Sequence, residues 1–409
     1  MKRWLLRVVK LGAAMVVVPV AALAIWILTR PGLPDNHLSV GQTVVMDERY
    51  RAAADSSLDW ARSVAATLQL PSLSLAASVD GQIVWQAAMG YHDLDDLKEA
   101  TPSTRYRTGS VAKSLTSVVL GRLVAAGQVE WDVPVGELLP EVSGPLAGAT
   151  LRQLAGHMGG VRHYVPVAFN RTLWAEQFGK RHYDHAREAL GIFIDDPLLF
   201  DPGEGFRYST HGFTLLAAAL EAATGQGYLD LLDQHVSRPL GLLRTGPDDV
   251  TREIPERAVT YDQVWGHYDD RFDADPSYKW SGGGLLSTSS ELVRVAGALM
   301  TGELLDLSIV ELLWTPQRLP DGEPNAQNYG MGWRIGREAR LLGLSDSVRV
   351  VHHGGTSPGG SSFLLLVPCD GVAVAAMTNL SVGNASPLRR AVYRMAGAFI
   401  RAIRSEKGG

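Results

Sequence analysis

The first change of pattern along the chain is an uncharged run from Leu11 to Leu28. Lys2, Arg3, Arg7 and Lys10 precede it, and Arg30, Pro31 and Pro34 close it. Eighteen uncharged residues just span a bilayer and are long for the core of a cleaved signal. Ile25, Trp26, Ile27 and Leu28 are bulky where a cleavage site needs small residues, whereas Ala22-Leu23-Ala24 offers one. Residues 1–30 therefore read as a signal anchor, with cleavage left open. The cations before the run put residues 1–10 in the cytoplasm and the body across the membrane. A bacterial inner membrane with a periplasmic body suits this arrangement. The polar, proline-containing stretch 31–55 reads as a tether.

Beyond it the periodicity alternates between helix and strand. A helix is expected from Ser57 to Leu70. Leu73 to Val79 alternates, Asp80-Gly81 is a favoured two-residue turn, and Ile83 to Ala88 returns as the second arm of a hairpin. Residues 110–126 have helical spacing, with Gly127 as a stop. From Trp131 to Thr260 helical stretches (Leu151 to His157, Tyr183 to Leu190, Gly212 to Thr224) alternate with Gly and Pro breaks. Helical spacing returns at Ser289 to Met300. Strands are expected at Met331 to Ile335, Arg349 to His353, Ser362 to Val367 and Val372 to Thr378. A last helix, Ser386 to Arg404, sorts arginines from apolar residues by face and is read as packing on the sheet. Strands from both ends with helices between predict an α/β fold of the α+β type. An antiparallel sheet flanked by helices is built from residues 56–130 and 260–405, residues 131–259 form a helical insertion, and the site lies in the cleft between them.

Composition narrows the function. A net charge of −5 and no basic stripe exclude nucleic acid as the expected partner. Cys369 is the only cysteine, so neither an intrachain disulfide nor a CxxC metal site can form; it reads as a turn residue in Pro-Cys-Asp-Gly. His182-x-x-His185 has ligand spacing, but no Glu or Cys completes a set. No metal and no cofactor are expected.

Three short segments carry chemistry. Ser110-Val111-Ala112-Lys113 follows Gly109 and opens a helix, so the i to i+3 spacing puts both side chains on one face. A serine hydroxyl needs a base, and a lysine whose pKa is lowered by burial and nearby cations can be one. Tyr208-Ser209-Thr210 precedes another helix, and a tyrosine beside two cations can be held partly as phenolate. Alone it would read as a packing tyrosine. His352-His353-Gly354-Gly355 ends a strand whose glycine-rich edge can offer N–H groups to a carbonyl oxygen. His157 and His163 flank Gly159-Gly160 and are placed near the cleft.

Taken in order, the three segments resemble the Ser-x-x-Lys, Tyr-x-Asn and Lys-Thr-Gly motifs of class C β-lactamases and low-molecular-weight penicillin-binding proteins. The likeness runs from about Leu58 to Pro368. Supporting it are Leu151 to Gly160, Pro202-Gly203 and Ser281 to Thr288. Within the family, Gly160 to Tyr164 and Tyr208 to Thr210 are similar to the mitochondrial serine β-lactamase-like branch. The resemblance implies Ser110 as the acylated nucleophile, Lys113 as its partner and Tyr208 as the acid/base. It implies His352-His353-Gly354 in the Lys-Thr-Gly place, with either histidine facing inward, and an oxyanion hole of the Ser110 and Gly355 amides. Thr210 stands where the motif has Asn, and His where it has Lys, which removes a fixed charge. Both departures weaken the case for a β-lactamase and fit a peptidase or esterase better; a peptidase or amidase acting on a peptide, amide or ester is the first expectation. An esterase or β-lactamase on the same scaffold is the alternative, and a non-catalytic, membrane-anchored scaffold is the second.

Overall fold

The hairpin read from Leu73 to Ala88 forms the junction of the sheet. The computed structural model describes residues 17–26, 29–164, 179–264, 266–270, 274–383 and 385–407. Its main strands are β1 (Gly41–Val45), β2 (Ser72–Val79), β3 (Gln82–Asp93), β4 (Arg334–Glu338), β5 (Val348–Ser357), β6 (Gly360–Val367) and β7 (Val372–Thr378). They pair in the order β1-β3-β2-β7-β6-β5-β4, antiparallel throughout. The β2–β7 pairing joins strands from the two ends of the chain. Asp80 and Gly81 both have positive φ (48° and 80°), as a tight hairpin turn requires.

The alternation in β2 is one of size, because every residue of the strand is buried. Leu73, Leu75, Ala77 and Val79 face one apolar layer, with Val374, Leu365 and Phe399. Ser74, Ala76 and Ser78 face the other, where the Ser78 hydroxyl donates to the Val293 carbonyl (3.2 Å). The first layer is covered by helices α1 (Arg51–Leu68) and α6 (Ser386–Lys407). The second holds α2 (Ala112–Ala125), α3 (Leu151–Ala155), α4 (Thr210–Thr224) and α5 (Ser289–Met300) in one continuous core. α6 thus buries Val392, Met395, Phe399 and Ile400 against the sheet.

Several expectations shift. The stretch read as a tether, 31–55, contributes β1 to the sheet edge and begins α1 at Arg51. Arg30 pairs with Asp269 (2.7 Å), and the Pro31 carbonyl accepts from Tyr268 N–H (2.9 Å), so the segment is fastened at its start too. The strand expected at Met331 begins at Arg334 instead. Gly332 has φ +78° and lies against the Lys113 carbonyl and Ser117, which turns the chain before it can pair. The helix expected at Tyr183 is a 3-10 turn, Ala186–Ile192. Of the expected anchor, residues 1–16 and 27–28 lie outside the described residues. Among the described residues no helix is long and apolar enough to cross a membrane.

Candidate active site

Ser110 lies in a 3-10 turn, Gly109–Val111, that feeds directly into α2. Gly109 makes the turn possible, with φ +48°. A Cβ there would also sit 2.7 Å from the Thr356 amide nitrogen of β5. Lys113, one turn on, is wholly buried. α2 is buried nearly all round rather than on one face, because it runs through the core. The Lys113 Nζ lies 3.2 Å from Ser110 Oγ, 3.0 Å from Thr210 Oγ1 and 2.5 Å from the Gly282 carbonyl oxygen. Burial, reinforced by Lys279 and Arg334, holds its pKa well below the usual lysine value. A neutral amine has two hydrogens and one lone pair. In that form Gly282 and Thr210 would accept the hydrogens, which would leave the lone pair for the Ser110 hydroxyl.

Tyr208-Ser209-Thr210 forms the facing wall. Ser209 caps α4 by accepting from the Gly212 amide (2.9 Å). Two imidazoles fasten the segment from behind. His157 Nδ1 accepts from the Ser209 amide (3.2 Å), and His163 Nδ1 from the Thr210 amide (3.1 Å). His157 follows α3, whose start is a reciprocal Thr150–Gln153 cap, and it takes φ +61° to reach this position. The basic side chains beside Tyr208 are Lys113 and Arg334, 4.9 and 5.1 Å from its ring centroid. They do not make it a phenolate. Burial pushes Tyr208 up to about 12, although Arg334 and the nearby Ser110 hydroxyl pull the other way.

The third segment separates by parity. His352 turns to the α6 side of the sheet and stacks on Phe363 (centroids 5.4 Å apart). His353 turns to the Lys113 side, buried behind Arg334. Its Nδ1 donates to the Gly354 carbonyl (2.8 Å), so Nε2 accepts from the Tyr329 hydroxyl (2.9 Å) and from Arg334 (3.4 Å). β4 stops pairing at Arg334 opposite His352, so β5 has an open edge beyond that point. Pro358-Gly359 joins Ser357 to Gly360 as a two-residue turn. Alternation from that pair directs the Gly355 amide to β6 and the Gly354 and Thr356 amides to the open edge. Gly355 packs on the nucleophile turn instead, where a Cβ would meet the Thr108 carbonyl at 2.0 Å. The second donor beside Ser110 is therefore the Thr356 amide rather than that of Gly355.

These walls enclose a cleft of about 570 Å³ lined by Ser110, Tyr208, Thr210, His163, Arg334 and Thr356, among others. The fixed positive charge read as missing with the lysine is present on Arg334, which comes from β4. Lys279, also in the cleft wall, adds another cation. No local motif marks either residue; only the register of β4 and the turn before Gly282 bring them in. Arg334, Gly354 and Thr356 also border a second cavity of about 390 Å³, with Arg389 on its far side. His182 and His185 diverge. His182 bonds Asp275 (2.7 Å), His185 lies 3.8 Å from Glu221, and no metal-binding group of His, Cys, Asp or Glu occurs among the described residues. Cys369 is an exposed turn residue whose thiol is pushed up by burial and by Asp370.

Comparison with known proteins agrees with this geometry. The family model described as Beta-lactamase matches residues 59–399. Human mitochondrial serine beta-lactamase-like protein LACTB is 28% identical over 402 residues, covering 78% of this chain and 73% of that protein. The D-stereospecific amidohydrolase from Streptomyces sp. is 25% identical, with a TM-score of 0.67 over 84% of this chain and 98% of that one. EstCE1, a hydrolase with promiscuous acyltransferase activity, superposes with a TM-score of 0.72 at 20% identity, covering 85% of this chain and 100% of that one. The chain belongs to the beta-lactamase family of serine hydrolases.

Proposed function

We propose that this enzyme cleaves amide or peptide bonds, and esters of similar shape, through an acyl-enzyme on Ser110. The observation that carries this reading is the wholly buried Lys113 amine, 3.2 Å from Ser110 Oγ with both hydrogens accounted for. Lys113 takes the hydroxyl proton as Ser110 Oγ bonds to the substrate carbonyl carbon. The developing oxyanion accepts from the Ser110 and Thr356 amides. Tyr208, protonated at neutral pH, gives its proton to the departing amine or alcohol, and the proton on Lys113 restores it. Water then repeats the sequence. It loses a proton to the same pair, attacks the acyl carbon, and Ser110 leaves with its hydrogen returned.

Arg334 and Arg389 face the second cavity, and no carboxylate among the described residues pairs with either. This supports a substrate that carries a carboxylate beyond the scissile bond, as a peptide end does. The same charges keep a β-lactam, also an anionic cyclic amide, as the second reading. Turnover of a peptide amide, a p-nitrophenyl ester and a penicillin should be compared with the Ser110→Ala variant. Amide or ester cleavage that disappears in the variant supports the proposal. Penicillin turnover alone would select the second reading, and none on folded protein would leave a binding scaffold. We further propose that residues 11–28 hold the body at a membrane, on the support of the sequence pattern. Release of the full chain from membranes by alkaline carbonate would refute that.

A further inference from the structure

The loop that brings His163 to the cleft does more than close its wall. Thr210 N–H has only a hydrogen to offer, so the His163 Nδ1 it meets at 3.1 Å must carry a lone pair. A neutral imidazole with a bare Nδ1 has its hydrogen on Nε2. The ring stays in that form: burial above all pushes His163 down to about 3. The ring lines the cleft beside Ser110 and Thr210, with its plane at 90° to the Tyr208 ring. Among the described residues no second hydrogen bond to the ring is made, and Nε2 is not one of the buried atoms left without a partner. It therefore reaches the space where substrate lies.

We infer that His163 is a specificity-determining residue, whose Nε2–H donates to an acceptor oxygen on the acyl part of the substrate. The substrate class this selects is an N-acylated aminoacyl compound, which has a carbonyl oxygen close to the scissile one. A plain alkanoyl ester lacks that oxygen and leaves the donor unmet. The inference rests on the Ser110 acyl-enzyme reading given above. His163 also positions Thr210, and through it Lys113, so substitution will lower turnover of every substrate. The ratio between substrates separates the two roles.

The test uses the full chain with two p-nitrophenyl esters, one of N-acetylalanine and one of butyrate, and compares wild type, His163→Asn and His163→Phe. One hydrogen bond to a neutral acceptor corresponds to a kcat/KM preference of about 3- to 10-fold. Wild type should show that preference for the acetylamino ester, and His163→Phe should lose it. In Asn the side-chain oxygen can replace Nδ1 for Thr210 while its NH₂ donates, so His163→Asn should recover part of both rate and preference. Equal loss on both esters, with the ratio unchanged, would overturn the inference and leave His163 a positioning residue. If neither ester is cleaved by folded wild type, the Ser110 reading fails before this one is reached.

Discussion

At Gly109 two constraints meet. Its φ of +48° suits glycine, and the space a Cβ would need is taken by the Thr356 amide nitrogen. Gly109→Ala must therefore push β5 away from the nucleophile turn. Positive φ costs a non-glycine residue about 1–2 kcal/mol, a tolerable loss for a domain of this size. Displacing Thr356 from Ser110 costs an oxyanion donor, about 10²-fold or more in kcat. We expect Gly109→Ala to fold, with a modest fall in Tm and at least that fall in kcat; near-normal kcat would mean that Thr356 N–H is not in the oxyanion hole. The residues legible in the sequence share a cause. Ser110 and Lys113 are three apart on one helix, and Tyr208 and Thr210 are two apart, so local spacing reveals them. Arg334 is 126 positions from Tyr208, and its place depends on which residue of β4 stands opposite His352. The phenolate reading of Tyr208 failed because sequence neighbours are not the cations it meets, and burial outweighs those it does.

At the scale of elements, hydrophobic period found the hairpin, the central helix and the last helix, because each has enough turns or alternations to average out exceptions. It misjudged elements governed by a single contact. Gly332 against α2 delays β4, and β1 was hidden in a polar stretch because an edge strand needs no buried face. One element-scale prediction runs against propensity. Glycine inside a helix normally costs about 1 kcal/mol relative to alanine. Gly397 of α6 lies against the Leu342 carbonyl, where a Cβ would come within 1.8 Å of the oxygen. Gly397→Ala is therefore expected to destabilise, by about 1–3 kcal/mol as an overpacked core site does. Urea unfolding decides the sign, and a raised midpoint would show that α6 can shift freely on the sheet.

For the whole molecule, the buried imidazoles couple the site to acid stability. His157, His163, His352 and His353 are all held below the ordinary histidine value of 6.5, in each case chiefly by burial, and His163 and His352 fall to about 3. Above pH 6.5 neither folded nor unfolded chain protonates them, so they leave stability unchanged. Below it the unfolded chain binds protons that the folded chain refuses, and stability falls with pH down to about 3. The urea midpoint should drop between about pH 7 and about pH 5; a flat midpoint would mean that these rings are protonated in the folded protein. The same enclosure holds the Lys113 pKa well below the usual lysine value. Its surroundings come from α2, α4, β4 and the segment before Gly282, so no single stretch of sequence contains them.

If a neutral Lys113 activates Ser110, covalent labelling of the serine must depend on pH through the lysine. The folded protein would be treated with a fluorophosphonate and followed by intact mass. One adduct is expected, absent in Ser110→Ala, whose rate of formation rises through an ionisation well below the usual lysine value of 10.5. In Lys113→Met that ionisation should vanish and the rate fall by several orders of magnitude. Labelling that persists in Ser110→Ala, or that proceeds equally fast without Lys113, would contradict that activation.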